Sequence, residues 1–133
     1  MKKQIIGRRE FISLLDLDLK DIKCKIDTGA YTGALHCEDI YILDTHEVEF
    51  SSFGKRFKLP IHKQKLVKSS NGKREFRYYI KTNALFLGKK YKIILSLTDR
   101  SSMKNPILIG RKFLKDRFLV DVSKEFTQKD KSL

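Results

Sequence analysis

Turn-forming residues cut this chain into segments too short and too alternating for a helical protein. Ile22, Cys24 and Ile26 alternate with Lys23, Lys25 and Asp27, a period of two that gives a strand one apolar face. Leu35 to Leu43, Glu47 to Phe53 and Arg56 to Ile61 are short runs rich in β-branched and aromatic residues. Asn71-Gly72, where both residues tolerate positive φ, is the strongest hairpin signal, with strands expected at Gln64 to Ser70 and Lys73 to Thr82. Gly88-Lys89-Lys90 joins Ala84–Leu87 to Tyr91–Leu97, and Pro60 marks an edge or a strand end. One short helix is expected from about Gly110 to Lys115, then a last strand from Phe118 to Val122. Many short strands with turns at close spacing predict an all-β fold, a small closed or folded-over barrel with one short C-terminal helix.

The length of 133 residues fits a single domain, with a core over about residues 5–126 and a polar tail at 127–133 expected to fray. No run approaches the roughly 20 apolar residues of a membrane span. The basic start, Met1-Lys2-Lys3, is followed by no apolar run of the secretory kind, so the expected location is cytoplasmic, with no membrane partner. In that compartment Cys24 and Cys37 read as two small core residues rather than a disulfide. Charge is unevenly spread. Residues 1–50 hold 7 Lys+Arg against 10 Asp+Glu, whereas residues 51–133 hold 22 against 6, a net of +16. The region from Lys63 to Lys92 is therefore expected to present a positive surface to an acidic peptide, a ribosome or RNA. Lysines that merely solvate strand faces would look the same.

Two segments carry chemistry. Lys25-Ile26-Asp27-Thr28-Gly29-Ala30 takes an apolar strand into a tight loop, which would present the Asp27 carboxylate instead of burying it. Gly29 permits close backbone approach and N–H donation to that carboxylate, and the Thr28 hydroxyl can lock the loop to a neighbouring strand or subunit. Alone, Asp-Thr-Gly is equally an ordinary turn. The second segment, Asn105-Pro106-Ile107-Leu108-Ile109-Gly110-Arg111-Lys112-Phe113-Leu114, reads as a buried strand opening into a helix.

Together, Asp-Thr-Gly-Ala and the later Ile-Leu-Ile-Gly-Arg resemble the retropepsin signature. From about Ile6 to Phe126 the chain is similar to a bacterial and archaeal retropepsin-like family whose members are often labelled ATP-dependent zinc protease. The matching pieces are Gly7-Arg8-Arg9-Glu10, Gly33-Ala34-Leu35-His36, Ser69-Ser70-Asn71-Gly72, Leu97-Thr98-Asp99-Arg100 with Met103, Leu108-Ile109-Gly110-Arg111 and Phe118-Leu119-Val120-Asp121. The resemblance implies an aspartic endopeptidase with Asp27, Thr28 and Gly29 as the catalytic loop, supported by Ala30, Gly110 and Arg111. It also implies that the Gly-Arg segment packs behind that loop. One loop per chain means that a homodimer must supply the second carboxylate. The hairpin at Ser70, Asn71 and Gly72 is the candidate flap. Some members are associated with ribosomal-protein glutamate ligases, which implies a glutamate-tailed ribosomal protein as an acidic substrate.

The chain departs from the retroviral pattern at Tyr31, where a carboxylate would pair with the helix arginine; Asp99 is the expected substitute partner of Arg111. Neither part of the family label is supported by residues. His36, His46 and His62 are scattered without a metalloprotease spacing, and no Walker-type run exists, so no cofactor and no metal are expected. Two other classes stay open: a non-catalytic basic module for RNA, a ribosome or acidic peptides, and a metallopeptidase.

Overall fold

A computed structural model describes residues 2–68, 71–99 and 104–127. Among these described residues the fold has twelve strands and one α-helical turn. They are β1 (Gln4–Ile6), β2 (Arg9–Leu14), β3 (Leu19–Ile26), β4 (Gly33–His36), β5 (Glu38–Ile42), β6 (Glu47–Ser52), β7 (Lys55–Pro60), β8 (Lys63–Lys68), β9 (Arg74–Phe86), β10 (Lys89–Thr98), β11 (Ile107–Ile109), α1 (Arg111–Leu114) and β12 (Phe118–Val120). A 3₁₀ turn at Leu15–Leu17 separates β2 from β3. No helix among the described residues is long and apolar enough to cross a membrane.

The main sheet runs β10-β4-β11-β3-β2-β9, and β9 pairs back on β10, so six strands close into a barrel. The all-β barrel with one short helix is the expected fold. Period-two alternation explains the closure. Cys24 and Ile26 of β3 point inward, as do Ile93, Leu95 and Leu97 of β10 and Ile80, Ala84 and Phe86 of β9. Lys23 and Lys25 take the outward phase. An aromatic cluster then fastens α1 and β12 to the barrel wall: the Phe86 ring lies 5.6 Å from Phe113 and 5.3 Å from Phe118, both edge-on.

The run from Leu35 to Leu43 is two strands rather than one. β4 belongs to the barrel, while β5 pairs with β6 in a separate three-stranded sheet, β5-β6-β7. The chain changes sheets at buried Cys37, whose N–H donates to Thr98 O of the barrel. Conversely, the expected strands at Lys73 to Thr82 and Ala84–Leu87 merge into the 13-residue β9. Asn83 does not break it because its N–H and Nδ2 both donate to the Asp16 carboxylate. Pro60 is the last residue of β7, the edge of its sheet. β8 and the outer half of β9 form an arm on the barrel, and Gly72 near its tip takes a φ of 85°. Ser69 and Ser70 lie outside the described residues.

The first and last described segments are joined. β1 pairs in parallel with β12, and Arg8 N–H donates to Lys124 O. Glu10 is fully buried, and its carboxylate accepts from Gly7 N–H at 2.8 Å, Thr127 N–H at 3.0 Å and the Thr127 hydroxyl at 2.7 Å. Thr127, expected in the frayed tail, is thus tied to the core; residues 128–133 lie outside the described residues. Glu10→Gln replaces one accepting oxygen with an N–H₂ that faces donors. It should cost about 1–3 kcal/mol of stability, the range for a buried polar group left unsatisfied, read as a lower urea midpoint with an unchanged slope.

Candidate active site

The site is built where β11 slots between β3 and β4. It runs parallel to β3, with Ile107 opposite Cys24 and Ile109 opposite Ile26, and antiparallel to β4, with Ile107 opposite Leu35. Ile107 and Ile109 are fully buried. The loop of residues 27–32 therefore arches over the end of β11. Asp27 N–H donates to Ile109 O at 2.8 Å, which pins the first residue of the loop to the inserted strand.

The Asp27 carboxylate is half-buried at this exit. Gly29 N–H donates to its Oδ1 at 3.1 Å, and Ala30 N–H donates to Asp27 O at 3.2 Å. Thr28 is exposed, and within the described residues its hydroxyl makes no hydrogen bond. The loop thus fixes a carboxylate at its base and holds out a free hydroxyl beside it.

The helical turn caps the loop from behind. Arg111 N–H donates to Ala30 O and Lys112 N–H to Tyr31 O, each at 2.8 Å. This contact leaves no room for side chains. A Cβ on Gly110 would lie 2.6 Å from Tyr31 O, and one on Gly33 2.3 Å from Leu108 O. Gly110 was expected in this role. Gly33 was not, although it stands at the other end of the same loop; its spacing from Gly29 is the signal that could have found it.

Arg111 does not use Asp99. Its Nη1 donates to Thr28 O at 3.0 Å, and its guanidinium lies 5.9 Å from the centre of the Tyr31 ring. No ion pair joins it to Asp99, which is exposed just after β10. Tyr31 replaces the carboxylate of the retroviral pattern with an aromatic face, so the arginine keeps a partner at the same place in the loop. Asn71 and Gly72 sit on the arm, with Asn71 Oδ1 accepting from Lys73 N–H.

Among the described residues no three His, Cys, Asp or Glu side chains converge as a metal site. His36 approaches Glu38 at 3.7 Å on the surface. Both cysteines are fully buried and unpaired in a disulfide, and burial pushes each thiol from 9.0 up to about 12. For Cys24 the neighbouring Glu10 carboxylate adds to the effect.

A family model described as retropepsin-like aspartic endopeptidase RimB matches residues 5–131. The chain belongs to the RimB-like family. A probable alpha-L-glutamate ligase of Desulfotalea psychrophila is 30% identical over 130 residues, covering 90% of this chain and 28% of that protein. A second, from Parasynechococcus marenigrum, is 32% identical over 131 residues with the same coverage. The chain thus spans under a third of the length of these curated relatives. A crystal structure of a protein of unknown function from Legionella pneumophila superposes with a TM-score of 0.78 at 26% identity, covering 96% of this chain and all of that one. The RimB-like match accords with the retropepsin resemblance of the Asp-Thr-Gly and Ile-Gly-Arg segments.

Two outcomes follow from this geometry. Arg111→Lys keeps the charge but loses the planar donor and its stacking, so it should lower the unfolding free energy by about 0.5–1.5 kcal/mol, measured by thermal melting. Cys24 and Cys37 should resist a thiol reagent at pH 8 in the native protein and react fully in denaturant. The sign of the linkage is fixed by the raised values: an unfolded thiol ionises near 9.0, a folded one near 12, so their contribution to stability is complete below pH 9 and is lost above it. Cys24→Ala should flatten that alkaline decline.

Proposed function

We propose that this chain is one protomer of an aspartic endopeptidase in which the Asp27 carboxylates of two copies share a proton and activate a water. The observation that carries the reading is a half-buried carboxylate fixed on a strand exit by Asp27 N–H to Ile109 O and by Gly29 N–H to Oδ1, in a chain with one such loop. Peptide hydrolysis needs two groups. One carboxylate takes a proton from water as it attacks the carbonyl carbon, and the other gives a proton to the carbonyl oxygen. Two like charges at close range share one proton readily, so a two-fold pairing of Asp27 loops supplies both roles. The Thr28 hydroxyl, without a hydrogen bond among the described residues, is available to lock one loop to the other.

The β8–β9 arm is the flap in this reading. Phe76 and its cross-strand partner Leu66 are exposed on this arm, at 55% and 50%, and offer an apolar contact. Lys63, Lys65, Lys68, Arg74 and Arg77 surround them. The curated relatives are named for ligating glutamate, so a glutamate-bearing peptide is the substrate class to test first, and the basic arm suits it.

The decisive experiment is a cleavage assay on glutamate-bearing and neutral unstructured peptides. Asp27→Asn should abolish turnover and leave the thermal midpoint at or above wild type, because it keeps the shape and removes carboxylate repulsion. Specific activity should fall on dilution as the dimer dissociates, and a chelator should leave it unchanged. Activity should decline on both sides of its pH optimum, since only the singly protonated pair works. Turnover of an acidic peptide should weaken steeply as salt rises, and that of a neutral one should not. Full activity in Asp27→Asn would end the aspartic reading.

A further inference from the structure

The barrel wall carries a cavity of about 250 Å³ between β9, β10 and α1, whose lining does not include Asp27. Lys81, Lys92, Lys112 and Arg117 line it, with Phe113 and Gly33. The topology explains the gathering. Asn83 pairs with Lys92 and Ile94 with Lys81, so the two lysines stand on adjacent strands in the outward phase. The helical turn adds Lys112 beside them. Arg117 is held in place: its guanidinium lies 5.2 Å from the centres of both the Phe113 and Tyr91 rings, and Nη1 donates to Phe113 O at 3.1 Å. No carboxylate forms an ion pair with any of the four cations among the described residues. Asp16 borders the neighbouring hollow that shares Lys81 and Lys92, but its carboxylate is committed to Asn83 N–H and the Thr82 hydroxyl.

Four cations lining one concavity, none of them in an ion pair among the described residues and with the single carboxylate of Asp16 in the adjoining hollow, repel one another, and a ligand with several negative charges relieves that repulsion. The ligand must be compact. The cavity is smaller than the roughly 300–1,000 Å³ of pockets for drug-sized molecules. An extended acidic peptide, at about 3.3 Å per residue, spreads its carboxylates along a groove instead. Phosphate packs two or more charges and several acceptor oxygens into this space, and lysine is a regular phosphate partner. We propose that the cavity between β9, β10 and α1 binds a compact polyphosphate anion through Lys81, Lys92, Lys112 and Arg117. The site stands whether or not Asp27 cleaves peptides. It has a route to the catalytic loop all the same, since Lys112 N–H donates to Tyr31 O and Arg111 N–H to Ala30 O. An anion held by Lys112 therefore anchors the turn that caps Asp27.

Calorimetry with tripolyphosphate at low salt tests this on the full chain. One anion per chain should bind, and the thermal midpoint should rise with its concentration. Lys92→Glu and Lys112→Glu, made separately, should each weaken binding at least ~10-fold, while Lys58→Glu on exposed β7 should change it less than ~2-fold. Equal weakening by Lys58→Glu, or more than one anion per chain, would assign the binding to the general positive field and overturn the site. ATP binding no tighter than tripolyphosphate would identify the phosphate chain alone as the ligand chemistry; ATP binding ~10-fold tighter would identify a nucleotide as its source. Hexaglutamate displacing tripolyphosphate at equal concentration would reassign the cavity to acidic peptides and refute the proposal, as would no detectable binding of tripolyphosphate.

Discussion

The insertion of β11 between β3 and β4 is the constraint on which the rest depends. A three-residue strand could not hold its place by its own backbone bonds. It is fixed because it is paired on both sides and because Ile107 and Ile109 fill the barrel interior. Its carbonyl at Ile109 receives Asp27 N–H, and the residue after it, Gly110, lets the helical turn meet the loop backbone to backbone. Core packing, barrel closure and the position of the carboxylate are therefore one arrangement. Disturbing Ile109 would disturb Asp27 without touching it.

Much of this was legible in the sequence, because the controlling signals are local. Alternation of Ile22, Cys24 and Ile26 with lysines gave the direction of β3, and the apolar triplet before Gly110-Arg111 gave β11 and the turn that follows. The missed features are those in which distant residues overrule local ones. Glu10 falls in the inward phase with Ile12 and Leu14, which by composition alone is the wrong place for a carboxylate; only the donors at Gly7 and Thr127 make it tenable. Asn83 looks like a strand break until Asp16, sixty-seven residues away in sequence, accepts its hydrogen bonds. Cys37 sits inside the strand-like run from Leu35 to Leu43, and nothing in that run states that the chain changes sheets there.

The site was legible in part for the same reason. Asp27, Gly29, Gly110 and Arg111 form the expected backbone-level unit, since their spacing to the apolar strands is what places them. The partner of Arg111 was not legible. A search for a carboxylate led to Asp99, whereas the guanidinium is satisfied by the Thr28 carbonyl and the Tyr31 ring. A cation can be balanced by a carbonyl dipole and an aromatic face as well as by a formal charge, and composition gives no preference among them. Nor does the net charge of the C-terminal part reveal that four of its cations share one hollow.

The brace between the first and last described segments has a geometric consequence. Because β1 lies against β12 and Arg8 meets Lys124, the path of the polypeptide is close to a closed loop. The brace is staggered along the chain: Gln4 lies beside Phe118, whereas Thr127 reaches back to Glu10, so the first and last described segments hold each other over their whole length. A cut in the exposed turn at Phe53-Gly54 would leave this brace whole, since neither residue takes part in it.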